Sequence, residues 1–93
     1  MKAIWQGVVL AESNKTINIE GNHYFPPESM HREYFIANDE HTICPWKGVA
    51  SYFDIKIGNN LNSSAAWYYP DPKYLALAIK GYIAFWHGIE VVE

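Results

Sequence analysis

A chain of 93 residues that is 49% hydrophobic, 16% aromatic and 18% charged has the composition of one small globular domain, residues 1–93, able to bury roughly 60–65% of its unfolded surface; it lacks the high charge and low hydrophobicity of a disordered chain. A net charge of −3 with only seven scattered basic residues excludes the clustered Lys and Arg that displace counterions from a phosphate backbone, so no nucleic-acid partner is expected. One cysteine and four histidines without ligand spacing leave an intrachain disulfide unpartnered and a structural zinc site short of its set of about four ligands, so no metal or other cofactor is expected.

From the N-terminus, residues 2–12 are mostly apolar and β-branched on both parities and read as one strand buried on much of both faces. Ser13-Asn14-Lys15 reads as a turn into Thr16-Ile17-Asn18-Ile19-Glu20, whose strict alternation points Ile17 and Ile19 inward, making a β-hairpin with the first strand. Gly21-Asn22 is a second turn signal. His23-Tyr24-Phe25 extends until Pro26-Pro27, and Pro27 suits the first turn of a brief helix through Met30. Glu33 to Ile36 reads as a strand, Ala37 to Glu40 as an exposed loop, and His41 to Cys44 as an extended lead into a central turn.

Beyond that turn, Val49, Ser51, Phe53, Ile55 and Ile57 form a core face, while Gly48, Ala50, Tyr52, Asp54 and Lys56 form a more polar one. Gly58 to Ser64 is a loop by composition, and Ala65 to Tyr69 is a strand stopped by Pro70-Asp71-Pro72. Asp71 as N-cap, Pro72 at the first helical position and Gly81 past Lys80 bracket a short helix over Lys73 to Ile79. Tyr82 to Trp86 and Ile89 to Val92 read as a terminal hairpin about His87-Gly88. The expectation is a mainly β domain of about seven strands with one or two short helices. No apolar run approaches the ~20 residues of a membrane helix, and the N-terminus lacks the charged, apolar and small-residue order of an export signal. A cytoplasmic protein without a membrane partner is therefore expected.

Most of the unusual chemistry lies in Thr42-Ile43-Cys44-Pro45-Trp46-Lys47-Gly48. Pro45 favours an extended Cys44 and presets its own φ, giving a β-turn released at Gly48. One reading is a plain hairpin connection with Trp46 capping the core. A second makes Cys44 a nucleophile, for which His41, three residues back on an extended chain, is a poor base and Lys47 a better neighbour for lowering the thiol pKa. The third is a ligand pocket: Lys47 as an anion-binding charge, Trp46, Tyr52, Trp67 and Tyr69 as walls, and small Gly48 and Ala50 leaving space. Glu12, Glu20 and Asn22 flank hairpin turns; the two carboxylates there are either solvated surface groups or an acid or base beside the pocket. Gly-rich phosphate loops, a Ser-His-Asp order and helical His pairs are missing from the sequence.

Four segments carry a resemblance: Glu20-Gly21-Asn22-His23-Tyr24-Phe25-Pro26-Pro27; Thr42-x-Cys44-Pro45-Trp46-Lys47-Gly48-x-Ala50-Ser51-Tyr52; Ala65-Ala66-Trp67-Tyr68-Tyr69-Pro70; and Ile79-Lys80-Gly81-x-x-Ala84-Phe85. In this order, over essentially the whole chain, they resemble the domain-of-unknown-function family numbered 427. The resemblance implies a β-tent-like fold, in which two small antiparallel sheets meet at an angle, and carries the label nucleotidyltransferase-like. Some β-tent relatives pin their sheets with zinc on paired cysteines. With one cysteine, this chain departs from that pattern and is expected to hold its sheets without zinc, by packing of residues such as Trp5, Phe53 and Phe85. The residues show neither a paired-Asp metal site nor a glycine-serine nucleotide loop to accompany the label.

The reading that follows is a ligand-binding module with an aromatic groove beside the central turn, taking a small molecule or a peptide end. Its candidate ligand-binding residues are Lys47, Tyr52, Trp67, Tyr69, Trp46, Cys44, Glu20 and Asn22. The alternatives are an enzyme using thiol, acid/base or nucleotidyl-transfer chemistry in the same cleft, and a structural domain that pairs with a second copy through edge strands and exposed rings.

Overall fold

The computed structural model describes residues 1–93. Nine strands form: β1 (Lys2–Trp5), β2 (Val8–Glu12), β3 (Ile17–Ile19), β4 (Asn22–Tyr24), β5 (Phe35–Cys44), β6 (Gly48–Ile57), β7 (Asn60–Tyr68), β8 (Ile83–Phe85) and β9 (Glu90–Val92). All pairings are antiparallel, in a three-stranded sheet β2-β1-β9, a ribbon β3-β4 and a four-stranded sheet β5-β6-β7-β8. The architecture is mainly β, in three sheets where two are expected. The ribbon nevertheless adjoins the large sheet, because Phe25, just past β4, exchanges both backbone hydrogen bonds with Ile83 of β8, at 2.8 and 2.9 Å. No helix is long and apolar enough to cross a membrane.

Several boundaries differ from the sequence reading, each for a local reason. Residues 2–12 are not one strand: Gln6 and Gly7 both take positive φ, 53° and 72°, and fold the segment into the β1-β2 hairpin. Such a two-residue turn matches strand twist, but Gln at positive φ is not a sequence signal for it. Consequently β3 pairs with β4, about Glu20-Gly21, and not with the first strand. The expected loop at 37–40 is absorbed into β5, with a register break between Ala37 and His41. The expected loop at 58–64 shrinks to Gly58-Asn59, since β7 begins at Asn60.

Asp54 accounts for both extensions. Its carboxylate accepts from the Asn38 side-chain amide at 2.7 Å and the Ser64 backbone N–H at 2.8 Å, satisfying polar groups where both ladders slip. All helical turns are 3-10, over Pro27–Ser29, Arg32–Tyr34 and Tyr74–Ile79. The expected Asp71 cap does not form; Lys73 occupies the N-cap position, with no side-chain cap. Nor is there a terminal hairpin, because β8 completes the large sheet beside β7 while β9 crosses to β1.

Two apolar clusters lie on opposite faces of the large sheet. On one, Ile55, Ala66, Ile83 and Phe85 meet Ala3, Leu10 and Ala11 of the three-stranded sheet, with Trp5 and Phe53 packed against them. On the other, Ala50, Tyr52 and Ala84 meet Tyr24, Ala76 and Ile79, flanked by Ile17, Ile19 and Trp67. The supposed polar face of β6 is therefore core at Ala50 and Tyr52, while Val49, assigned to the core, is 48% exposed. Burial changes parity along β6 at the slip between Phe53 and Ile55.

Gly48 starts β6 at φ 112°, a conformation open to glycine, and a Cβ there would lie 3.5 Å from the Asp71 carbonyl and the Lys73 nitrogen. The space is adequate, so the cost of a side chain is backbone strain. Gly48→Ala is expected to lower stability by about 1–3 kcal/mol, read as a lower urea midpoint at unchanged m-value.

Candidate functional site

The central turn is held in place by the segment after Pro70. The Lys73 backbone N–H donates to the Lys47 carbonyl at 2.9 Å, and Lys73 Nζ donates to the Pro45 carbonyl at 2.7 Å. With its backbone fixed, Lys47 turns inward. It is the one charged residue in the core, 6% exposed. Its ammonium is paired with Glu20, from the β3-β4 turn, whose side chain remains 56% exposed.

Two rings complete the surroundings. Lys47 Nζ lies 5.0 Å from the Trp46 ring centroid and 5.7 Å from that of Tyr69, within range of cation–π attraction. An ammonium has three N–H donors, and Glu20 supplies the single hydrogen-bonding partner of this one. The Trp46 and Tyr69 rings stand beside it, and Trp46, 36% exposed, and Glu20 are the members of this group that reach solvent.

Charge states follow from this arrangement. Burial acts to lower the Lys47 pKa, but the Glu20 hydrogen bond and neighbouring negative charge together outweigh it, so the net shift is upward. The Lys47 hydrogen bond holds the Glu20 carboxyl below its ordinary 4.5, against an opposing effect of desolvation. Burial raises the Tyr24 and Tyr69 phenols, which stay protonated.

Of the expected residues, Glu20, Trp46, Lys47 and Tyr69 converge on one ammonium. Cys44 is half-buried and packs against the same cluster. His41 turns instead to Ser51, at 3.3 Å. Tyr52 and Trp67 are directly paired across β6 and β7, further along the same sheet face. Tyr52 Oη shares a hydrogen bond with Thr42 Oγ1 at 2.8 Å. Asn22 is half-buried opposite Ile19 and donates no side-chain hydrogen bond to the cluster. Glu12 lies elsewhere, 4.0 Å from Lys2 on the surface.

Two residues join the cluster without having been singled out from the sequence. Tyr24 is fully buried and accepts a hydrogen bond from Trp67 Nε1 at 3.2 Å, its ring meeting the indole edge-on at 6.2 Å. Trp86 packs edge-on against Trp67 at 5.3 Å and stacks with Tyr52 at 6.4 Å. Tyr24 is separated from Glu20 by one tight turn, so both face the site once β3 and β4 pair. None of the eight candidate residues lines the cavity of about 540 Å³ bordered by Phe53 and Tyr68.

The family model described as a domain of unknown function (DUF427) matches residues 1–93. The chain belongs to this family. No relative was found among curated proteins. For a DUF427 chain the geometry thus supplies what the family description does not: a buried cation, an exposed carboxylate and aromatic walls brought together from three separate segments.

Stability should record the ion pair with a definite sign. Because the folded-state pKa of Glu20 is depressed, its contribution is fully present above the unfolded value of 4.5 and is lost as pH falls through the lower folded value. Thermal melts from about pH 7 down to about pH 3 should show the native protein losing its advantage over Glu20→Gln only below the ordinary carboxyl pKa. A difference in melting temperature that persists unchanged to the acid limit would contradict the pairing.

Proposed function

We propose that the protein is a ligand-binding module whose anchoring group is the Lys47 ammonium, and that its ligand is a small carboxylate, such as an N-acylated amino acid or the C-terminal end of a peptide. The observation that carries this reading is a core lysine with one hydrogen-bonding partner for three donors. A carboxylate oxygen provides the missing acceptor. Glu20, exposed beside it, accepts the adjoining amide N–H, and Trp46 and Tyr69 contact the ligand's apolar part.

Binding is favoured over catalysis by the charge states. A lysine that acts as nucleophile or base needs its pKa brought down toward neutrality, whereas Lys47 is shifted upward. Tyr24 and Tyr69 are likewise shifted away from serving as bases. These directions suit a permanent cation flanked by phenol donors. They lend no support to the nucleotidyl-transfer label.

Titration with N-acetyl amino acids at millimolar concentration should change tryptophan fluorescence and shift the backbone amides of Trp46, Lys47 and Tyr69. Lys47→Met, which replaces the ammonium with an apolar chain of similar length, should weaken binding at least about tenfold while changing stability by no more than ~1 kcal/mol. Unchanged spectra across the series, or unchanged affinity in Lys47→Met, would overturn the proposal.

A further inference from the structure

The cavity of about 540 Å³ lies on the opposite face of the large sheet from Lys47. Adjacent residues of a strand point to opposite sides. Tyr52 and Trp67 therefore face the Lys47 cluster, while Phe53 and Tyr68 face the cavity. The two rings are stacked on one another at 4.9 Å and 21°, giving the cavity a packed aromatic side. Met30 and Pro70 add apolar surface, and the thioether of Met30 adapts to ligands of differing shape.

The rim has a different character. Arg32, from the 3-10 turn before β5, and Lys80, from the approach to β8, border the same opening although 48 positions separate them. Both are exposed, and neither belongs to an ion pair, the two pairs in the molecule being Lys2–Glu12 and Lys47–Glu20. No Asp or Glu borders the cavity, in a chain whose net charge is −3. Two unpaired cations beside an apolar hollow form a local field opposite to that of the whole molecule.

From this arrangement we infer that the cavity is a second binding site, for a small amphiphilic organic anion. Its flat or branched apolar body lies against Phe53 and Tyr68, and its anionic group lies between Arg32 and Lys80. The volume falls within the range of about 300–1,000 Å³ typical of small-molecule sites. Arg32 presents a planar fork suited to an oxyanion and Lys80 a mobile point charge. This site is independent of Lys47 and stands if the Lys47 proposal fails.

Two dyes that share an aromatic body test it: 8-anilinonaphthalene-1-sulfonate, an anion, and N-phenyl-1-naphthylamine, which is the same body without the sulfonate. The native protein should bind the anionic dye saturably at one site, shifting the backbone amides of Tyr68 and Gly81. The double variant Arg32→Gln/Lys80→Gln, altered at exposed positions, should bind it about tenfold or more weakly while retaining its affinity for the neutral dye. Lys47→Met should bind both dyes as the native protein does. The inference is overturned if the anionic dye fails to saturate, if the double variant binds it undiminished, or if its binding is lost in Lys47→Met instead.

Discussion

The Phe25–Ile83 bridge is the contact on which the rest of the arrangement depends. Through it, two consecutive residues, Tyr24 and Phe25, are fully buried on opposite sides of the same backbone, one in each apolar cluster. The two reciprocal hydrogen bonds join the short β3-β4 ribbon to the edge of the large sheet. An isolated two-stranded ribbon is marginal in water, so the ribbon owes its position to this bridge and to the burial of these two rings. Removing the Phe25 ring would cost on the order of 3–5 kcal/mol, from the lost burial and the cavity left behind together.

The site inherits its geometry from that attachment. Glu20 occupies the β3-β4 turn at φ 56° and meets Lys47 only because the ribbon lies against the sheet. Lys47 is fixed independently, by the hydrogen bonds from Lys73 to the central turn. Two separately anchored hairpins thus bring opposite charges together at the boundary between core and solvent. A buried cation is expensive unless compensated, and here the compensation comes from one carboxylate and two ring faces. That leaves donor capacity at the ammonium, which is the physical basis for reading it as a binding group.

How much of this was legible in the sequence depended on whether the signal was local. The alternation of Ile17 and Ile19, the strand ending at Tyr68-Tyr69-Pro70 and the Cys44-Pro45-Trp46-Lys47 turn were readable because sequence period and proline chemistry act within a few residues. The family was legible for the same reason, in runs such as Trp46-Lys47-Gly48. The turn at Gln6-Gly7 was not, since only pairing makes positive φ tolerable at Gln6. The burial of Tyr52 was missed because β6 is central, covered on both faces, and alternation then ceases to report solvent. The Lys47–Glu20 pair joins positions 27 apart on different hairpins, and no periodicity reaches that far. The cavity between Arg32 and Lys80 is built from irregular segments, where sequence pattern carries least information.

A core lysine held charged by one exposed carboxylate is the central claim, and the side-chain ¹⁵N spectrum of Lys47 tests it most directly. The account predicts an ammonium cross-peak protected from rapid exchange with water, which shifts when N-acetyl amino acids are added and broadens away in Glu20→Gln. An Nζ signal that exchanges as fast as those of the surface lysines, indifferent to both the carboxylate and the substitution, would contradict it.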